Sequence, residues 1–170
     1  MQQQPPSKHK VAIVDDHPIV RQGISQLIDQ EEDLFTCWQA GNAQEAIEMA
    51  TQCMPDILLV DISLDGISGM ELIKMLRQQH IKAPVLIISM HDESLYAERA
   101  LRSGAKGYIM KQEATEKVLT AIRQVLRGEI YLSERMQGKI LQRFINGEEG
   151  GLSAIDLLSD RELEVFRLIG

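Results

Sequence analysis

The sequence predicts an α/β protein with a five-stranded parallel sheet covered by helices on both faces, and three observations lead to this prediction. Short apolar runs alternate with longer amphipathic stretches from residue 10 to about residue 127. Several of the runs are apolar at consecutive positions, which is typical of strands buried on both faces. The stretches between them carry apolar residues at helical spacing. Strands and helices that alternate in this way favour parallel pairing with right-handed crossovers.

Five short apolar runs are predicted to form the strands. They are KVAIVD (10–15), FTCWQA (35–40), DILLVD (56–61), APVLIIS (83–89) and GYIM (107–110). The pattern alone leaves the strand order open, and for a domain of this size the doubly wound, flavodoxin-like order 2-1-3-4-5 is the leading choice. In that order a ligand site lies beyond the carboxyl ends of strands one and three.

Five amphipathic stretches are predicted to form the helices between the strands. The first has Pro18 in its first turn, where proline is well tolerated, and the second begins from Asn42 as an N-cap. Gly104 and Gly128 follow the fourth and fifth stretches, where glycine commonly ends a helix. The apolar positions are, in chain order, Val20, Ile24, Leu27 and Ile28; Ala43, Ala46, Ile47 and Ala50; Leu72, Ile73 and Leu76; Tyr96, Ala97, Ala100 and Leu101; and Val118, Leu119, Ile122, Val125 and Leu126.

The alternation ends after Gly128, and the rest of the chain predicts a separate organisation. Residues 133–146 have the pattern of one more amphipathic helix, and GEEGG (147–151) is typical of a flexible acidic linker. Ser159 and Glu162 form a capping box at the start of a last helical segment. The predicted divisions are a disordered leader over 1–8, the α/β domain over 9–128, a linker helix and flexible linker over 129–151, and the first part of another domain over 152–170.

Composition restricts the classes of function. The formal net charge is −7, which disfavours a chain whose main task is to coat nucleic acid or an acidic membrane. No apolar run approaches the roughly 20 residues of a membrane span, and the polar start does not resemble a signal peptide. Cys37 and Cys53 lack the spacing of a metal site. We therefore expect a cytoplasmic protein with reduced thiols and no membrane association.

Polar side chains stand at the carboxyl ends of four predicted strands. Asp15 and Asp16 end the first strand, Asp61 the third, Ser89 the fourth and Lys111 the fifth. Neighbouring strands lie roughly 5 Å apart, so the three carboxylates would converge and repel one another. A hard divalent cation resolves this repulsion, and Mg²⁺ is the ion that such oxygen ligands suit best.

The serine and the lysine complete a site suited to phosphoryl transfer. Ser89 is predicted beside Asp61, and a long lysine side chain can cross the roughly 10 Å that separate strands three and five. Alone, each of these residues has an ordinary explanation: a helix cap for the aspartates, a turn residue for Ser89 and a solvated surface group for Lys111. Because they occur together at successive strand ends, we predict that Asp61 is a carboxylate nucleophile that accepts a phosphoryl group.

Four segments of the chain resemble the signature regions of the response-regulator receiver domain. They are VAIVDDHPIVRQG, PDILLVDISLDGISGMEL, VLIISMHDE and GAKGYIMK. The DDH triplet, the SMHDE segment and the trailing helix resemble the NarL/FixJ subfamily, which has LuxR-type output domains. The resemblance covers about residues 9–128, and it implies a CheY-like form of the predicted fold.

The resemblance implies a role for each residue of the site. Asp61 would accept the phosphoryl group from the phosphohistidine of a sensor histidine kinase. Asp15 and Asp16 would hold Mg²⁺ together with Asp61 and the backbone carbonyl of Ser63. A second set would bind the phosphoryl group and switch the conformation, with Tyr108 at the aromatic switch position: Ser89, Lys111 and Tyr108.

The segment LSDRELEVFRLIG (158–170) resembles the first helix of a LuxR-type helix-turn-helix domain. The recognition helix that would enter the major groove would lie beyond Gly170. We therefore expect no DNA-binding residue in this sequence, DNA binding only through the missing part of a longer protein, and a homodimer that forms on phosphorylation to control transcription. Whether the end at Gly170 is natural is left open.

Two other functions remain as alternatives. The first is an interaction module with the receiver fold that signals without phosphorylation, which the intact set of acids, serine and lysine disfavours. The second is a small Mg²⁺-dependent phosphatase, which usually has a second aspartate where this chain has Ser63. We expect a signalling protein rather than an enzyme, with its own phosphorylation and dephosphorylation at Asp61 as the one reaction left open to it.

Four positions near the site carry further expectations. Asp65 replaces the subfamily's usual proline and is expected to face water. Met90 is expected to restrict the access of water to a phosphorylated Asp61 and so to lengthen its lifetime. His91 is interpreted as a surface loop histidine, and His17 as a residue at the entry of the first helix.

Overall fold

A computed structural model describes residues 6–146 of the chain. The chain divides into two compact units, one that extends to Tyr131 and one that begins at Leu132. The first unit contains β1 (His9–Val14), α1 (Pro18–Asp29), β2 (Leu34–Ala40), α2 (Ala43–Gln52), β3 (Ile57–Asp61), α3 (Gly69–Gln78), β4 (Val85–Ser89), α4 (Glu93–Arg102), β5 (Gly107–Met110) and α5 (Lys111–Leu126).

The five strands form one parallel sheet in the order β2-β1-β3-β4-β5, which confirms the predicted fold class and strand order. The last paired residues of neighbouring strands are Val14 with Val60, Asp61 with Ile88, and Ser89 with Met110. The carboxyl ends of β1, β3, β4 and β5 therefore reach one edge of the sheet at nearly the same level. This alignment is what brings the polar residues that end these strands together.

The core lies on both faces of the central strands. Every residue of β3 and β4 is buried, as is the carboxyl-terminal part of β1, which accounts for their consecutive apolar residues. One face packs against α1 and α5 through a cluster made of Val11, Ile13, Ile24, Ile28, Leu34, Ile57, Leu59, Leu86, Ile88, Ile109, Ala114, Val118, Ala121, Ile122 and Val125. This rigid platform carries the site residues at its edge.

Local signals at the helix ends account for the way the chain enters and leaves each helix. Pro18 occupies the first turn of α1, and the Asn42 side chain accepts a hydrogen bond from the Glu45 N–H at the start of α2. Gly104 and Gly128 have φ angles of 109° and 86°, and each lies just past the end of a helix. A left-handed φ suits glycine because it lacks a Cβ atom, so the predicted helix stops are confirmed.

The described part of the second unit contains one helix, α6 (Glu134–Ile145), within the region predicted to be helical. Residues 1–5, most of the predicted leader, lie outside the described residues. So do residues 147–170, which include the predicted acidic linker and the segment with the capping box. Within residues 6–146, no helix has both the length and the apolar character that crossing a bilayer requires.

Candidate functional site

The three predicted acids meet at the carboxyl edge of the sheet. Asp15 directly follows β1, Asp61 is the last residue of β3, and each is only 3% exposed. Asp16 is half-buried beside them. Asp15, Asp16, His17 and Asp61 each offer a possible metal-ligand atom, and these atoms all lie within 4.8 Å of one another. The structure thus brings together the carboxylates that the sequence placed on two neighbouring strands.

Lys111 reaches the same point from the far side of the sheet. It is the first residue of α5, because β5 ends at Met110 and the helix follows without a loop. Its Nζ lies 2.8 Å from Asp15 Oδ2 and donates a hydrogen bond of 3.0 Å to Asp61 Oδ2. One buried ammonium group therefore contacts both buried carboxylates.

The pKa values of these groups reflect the crowding of charge. Burial, and then the charge of Asp15, raise the pKa of Asp61 to about 6 against the opposing effect of Lys111. Burial also opposes ionisation of Asp15, but hydrogen bonds from Lys111 and His17 outweigh it and lower the pKa of Asp15. For Lys111 the burial effect is outweighed by the two carboxylates, which raise its pKa. Two carboxylates on one lysine, with Asp16 in the same cluster, leave the site with an excess of negative charge.

His17 adds an imidazole to this cluster. Its backbone is extended at the N-cap of α1, as expected of a helix-entry residue, but its side chain makes no capping hydrogen bond. Instead Nδ1 lies 2.8 Å from Asp15 Oδ1, 2.9 Å from Asp16 Oδ1 and 3.8 Å from Asp61 Oδ2. This contact was not predicted from the sequence. The DDH triplet could have indicated it, because the side chain of a residue next to two strand-end acids can easily reach their carboxylates.

The arrangement of oxygen atoms fits a divalent cation. Asp16 Oδ1 is buried and makes no hydrogen bond, since the nearby His17 Nδ1 lies at 2.9 Å without hydrogen-bond geometry. A buried carboxylate oxygen without a partner is costly unless a cation is close. The Ser63 backbone also reaches the site, because its N–H donates to Asp61 Oδ1 at 3.2 Å. Oxygen ligands of this kind are those that Mg²⁺ accepts.

The loop between β3 and α3 is held close to Asp61 by a glycine. The Gly69 N–H donates a 2.8 Å hydrogen bond to the Ile62 carbonyl, and a Cβ atom at Gly69 would collide with the Asp61 carbonyl oxygen. Glycine is therefore required here by the close approach of two backbone segments. This requirement was not predicted from the sequence, because nothing local distinguishes Gly69 from an ordinary turn glycine.

The residues expected to bind phosphate and to switch conformation surround a second loop. Ser89 is fully buried at the end of β4, and its Oγ accepts a 3.0 Å hydrogen bond from the His91 N–H. Tyr108 is 1% exposed, and its hydroxyl donates to the His91 carbonyl at 2.8 Å. Both residues therefore contact the backbone of the β4–α4 loop.

His91 is more engaged than the sequence analysis expected of a surface loop histidine. Its Nε2 lies 2.7 Å from Ser63 Oγ, and its ring stacks on Tyr96 with centroids 4.8 Å apart. These partners stand far from His91 in the sequence or across a helical turn, and no periodic pattern reveals them. Met90 beside it is 61% exposed. Asp65 is exposed, as predicted.

An apolar groove of about 490 Å³ adjoins the acidic cluster between α1 and α5. Its lining includes Ile19, Ile24, Met90 and the start of α5 at Lys111. Ile19 is 85% exposed, which is unusual for a large aliphatic side chain next to a charged site.

Comparison with known proteins identifies the family that this geometry belongs to. Residues 11–123 match the family described as "Response regulator receiver domain". The chain belongs to the response regulator family. It is 32% identical over 162 residues to the nitrate/nitrite response regulator protein homolog of Haemophilus influenzae, covering 95% of this chain and 76% of that protein. It is 33% identical over 165 residues to the oxygen regulatory protein NreC of Staphylococcus carnosus, covering 94% and 76%.

A solved structure agrees with this identification. The LuxR-family two-component response regulator from Aurantimonas sp. SI85-9A1 superposes with a TM-score of 0.75 at 32% identity, covering 82% of this chain and 99% of that one. The predicted resemblance is confirmed. Response regulators of the NarL/NreC type are phosphorylated on an aspartate of the receiver domain and control transcription. The matches give no support to the alternative of a phosphorylation-independent interaction module.

Proposed function

We propose that Asp61 of this receiver domain is the phosphoryl acceptor and that a sensor histidine kinase is the donor. The observation that supports this best is the buried position of Asp61 at the end of β3 with the Lys111 ammonium 3.0 Å from its Oδ2. Asp15 is equally buried, but hydrogen bonds from Lys111 and His17 lower its pKa, whereas the pKa of Asp61 is raised to about 6. The more basic carboxylate is the better nucleophile, which favours Asp61.

The transfer converts the carboxylate into an acyl phosphate. An ionised oxygen of Asp61 attacks phosphorus, the bond from phosphorus to the imidazole nitrogen of the donor breaks, and that nitrogen keeps the electron pair. Lys111 stays within reach of the reacting oxygen and offsets part of the negative charge that builds up. The Ser89 hydroxyl, at the end of the adjacent strand, would donate to a phosphoryl oxygen.

Mg²⁺ is the proposed cofactor, held by Asp15, Asp16, Asp61 and the Ser63 carbonyl. When bound, it would neutralise charge shared between the carboxylates and the phosphoryl oxygens. The unpartnered Asp16 oxygen and the raised pKa of Asp61 support a cation at this point, because both are unfavourable without one.

The β4–α4 loop supports a switch that reads the state of Asp61. Ser89 Oγ is bonded to the His91 N–H, and the His91 carbonyl holds the Tyr108 hydroxyl. If Ser89 turned toward a phosphoryl group, the loop would lose its hydrogen bond to Ser89 and Tyr108 could follow. We propose that this change alters the α4–β5–α5 face, promotes a homodimer, and controls DNA binding through a part of the protein beyond Gly170.

The apolar groove between α1 and α5 supports an encounter with a protein donor. A kinase must bring its phosphohistidine to Asp61, and the exposed Ile19 and Met90 lie along the groove beside it. Apolar side chains exposed next to a reactive site are typical of surfaces that bind another protein transiently.

Intact-mass spectrometry tests the proposal directly. The full chain is incubated with acetyl phosphate and Mg²⁺, and one added phosphoryl group is expected in the wild type but not in Asp61→Asn. Asp65→Asn, an exposed acid four positions along, is the matched control and should still gain the group. An adduct that persists in Asp61→Asn, or none in the wild type, would contradict the proposal. Formation of the adduct without a kinase would mean that the receiver catalyses its own phosphorylation.

A further inference from the structure

His17 gives the acidic cluster a nitrogen donor that an all-oxygen magnesium site lacks. We propose that His17 is itself a metal ligand, and that this site therefore favours transition ions such as Mn²⁺, Co²⁺ or Zn²⁺ relative to Mg²⁺. The inference rests on the proposed function, because it concerns the same site, but it adds a ligand and changes the class of ion.

The spacing of the donor atoms carries the inference. His17 Nδ1 lies 2.8 Å from Asp15 Oδ1 and 2.9 Å from Asp16 Oδ1. Adjacent ligands of a six-coordinate ion with bonds near 2.1 Å lie about 3 Å apart. Each of the two carboxylate oxygens therefore lies at about the distance from the imidazole nitrogen that neighbouring ligands of one ion have. The whole set of four residues spans no more than 4.8 Å.

A second observation points to the same place. Asp16 Oδ1 is buried without a hydrogen bond although His17 Nδ1 is 2.9 Å away. The distance would allow a hydrogen bond from His17 to Asp16, but the angles do not. An ion between the imidazole and the carboxylates would satisfy Asp16 and His17 together.

The hydrogen bond of the His17 ring lies within the site itself: Nδ1 is 2.8 Å from Asp15 Oδ1, and His17 would exchange this bond, with Nδ1 unprotonated, to bind an ion. The side chain does not cap α1, and it is 59% exposed, so the ring does not fill the core. Water and an ion from solvent can reach it. Its Nδ1 lies within 3.8 Å of a carboxylate oxygen of each acid of the site, Asp15, Asp16 and Asp61.

The chemistry of the nitrogen ligand determines which ions bind more tightly because of it. Imidazole nitrogen suits Zn²⁺, Co²⁺ and related ions, which bind mixed nitrogen and oxygen sites in a well-known order of affinity. Mg²⁺ prefers oxygen ligands and keeps several waters, so a nitrogen donor adds little to its binding. The imidazole should therefore raise the affinity for transition ions relative to the affinity for Mg²⁺.

The competing explanation is that His17 is a protonated cation that neutralises the acids. The two explanations predict opposite effects of removing the imidazole. A ligand that is lost weakens the binding of transition ions. A fixed cation that is lost frees the carboxylates and strengthens the binding of every divalent cation.

Calorimetry of the full chain with CoCl₂ and with MgCl₂ separates these explanations. His17→Gln, and His17→Phe as a second variant that keeps a ring, should lower the ratio of Co²⁺ affinity to Mg²⁺ affinity about ten-fold or more. His9→Gln, which removes an exposed histidine at the opposite end of β1, should leave the ratio unchanged. Imidazole ¹⁵N spectra of the wild type with ZnCl₂ should show a large shift of the His17 Nδ1 resonance.

Three outcomes would overturn the inference: an unchanged affinity ratio in both His17 variants, a rise in both affinities, or a Zn²⁺ titration that leaves the His17 resonances in place. Acetyl phosphate with Mg²⁺ is added to the wild-type sample in parallel. A phosphoryl adduct there, together with an unchanged ratio, means that only the inference fails. No adduct means that the proposed function fails, whatever the ratio.

Discussion

The site has two sides that are built in opposite ways. On the acidic side, Asp15 and Asp61 share one lysine, and an oxygen of the nearby Asp16 has no hydrogen bond. On the loop side, hydroxyl groups, backbone groups and the His91 ring are joined by hydrogen bonds and a stacking contact. Crowded carboxylates are unfavourable until a cation binds, whereas hydrogen-bonded groups hold one conformation until a bond is exchanged. The first side is therefore suited to binding and chemistry, and the second to transmitting the result.

The largest effect is expected from removing the lysine on the acidic side. Lys111→Met leaves two buried carboxylates without their shared cation, and we expect the free energy of unfolding without metal to fall by about 3 kcal/mol. Mg²⁺ should restore much of this loss, because it replaces the missing positive charge. Urea unfolding with EDTA and with MgCl₂ measures both effects. Lys106→Met, at an exposed lysine, should change neither curve; a loss that Mg²⁺ does not repair would contradict the explanation.

Removing a carboxylate from the same side should have the opposite sign. Burial and Asp15 raise the pKa of Asp61 to about 6, so its ionised form destabilises the metal-free fold above that pH. We expect Asp61→Asn to stabilise the metal-free protein by about 2 kcal/mol at pH 7.5. The gain should shrink as the pH falls from 6 toward 4 and vanish below 4, where the carboxyl group is protonated in both states.

Urea unfolding of both proteins between pH 4 and pH 8 measures this gain. Equal stability of the variant and the wild type at pH 7.5 would mean that Lys111 already compensates the charge. In Mg²⁺ the gain should be smaller, because the cation stabilises the wild-type carboxylate.

The loop side should respond more weakly and without regard to metal. His91→Ala removes the contact with Ser63 and the stacking on Tyr96 but keeps both backbone hydrogen bonds. We expect it to lower the free energy of unfolding by about 1–2 kcal/mol, equally with and without Mg²⁺. Met90→Ala, at the exposed neighbouring position, is the control and should cost less than about 0.5 kcal/mol. A loss in His91→Ala that depends on Mg²⁺ would mean that the two sides are not separate.

The sequence predicted the acidic side better than the loop side, for a physical reason. A parallel sheet brings the ends of its strands to one edge, so Asp15, Asp61, Ser89 and Lys111 could be placed together from pattern and strand order alone. The position of a side chain such as His91 depends on its rotamer and on partners distant in the chain, which leave no periodic trace. The requirement for glycine at residue 69 is of the same kind, because it comes from a close approach of backbone in three dimensions.

The smallest effect is expected where an ion pair is exposed. Arg123 on α5 binds Asp33 at 2.8 Å and Glu31 at 2.6 Å, a closer pairing than that of Lys111 with Asp61, but all three side chains are about one-third to one-half exposed. Exposed ion pairs contribute little to stability. We therefore expect Arg123→Leu to lower the free energy of unfolding by less than about 1 kcal/mol, and by less still in 1 M NaCl.

The hydrogen bond from Arg123 lowers the pKa of Asp33 in the folded protein. This small contribution is therefore present above about pH 4, the ordinary pKa of an aspartate, and is lost as the pH falls through the lowered value. Urea unfolding at pH 7 and pH 2.5 measures it, with Arg127→Leu as the matched control at an exposed arginine of the same region. If Arg123→Leu lowered the free energy of unfolding as much as Lys111→Met, burial would not explain the large effect on the acidic side. The difference between the two sides would then depend only on the number of charges.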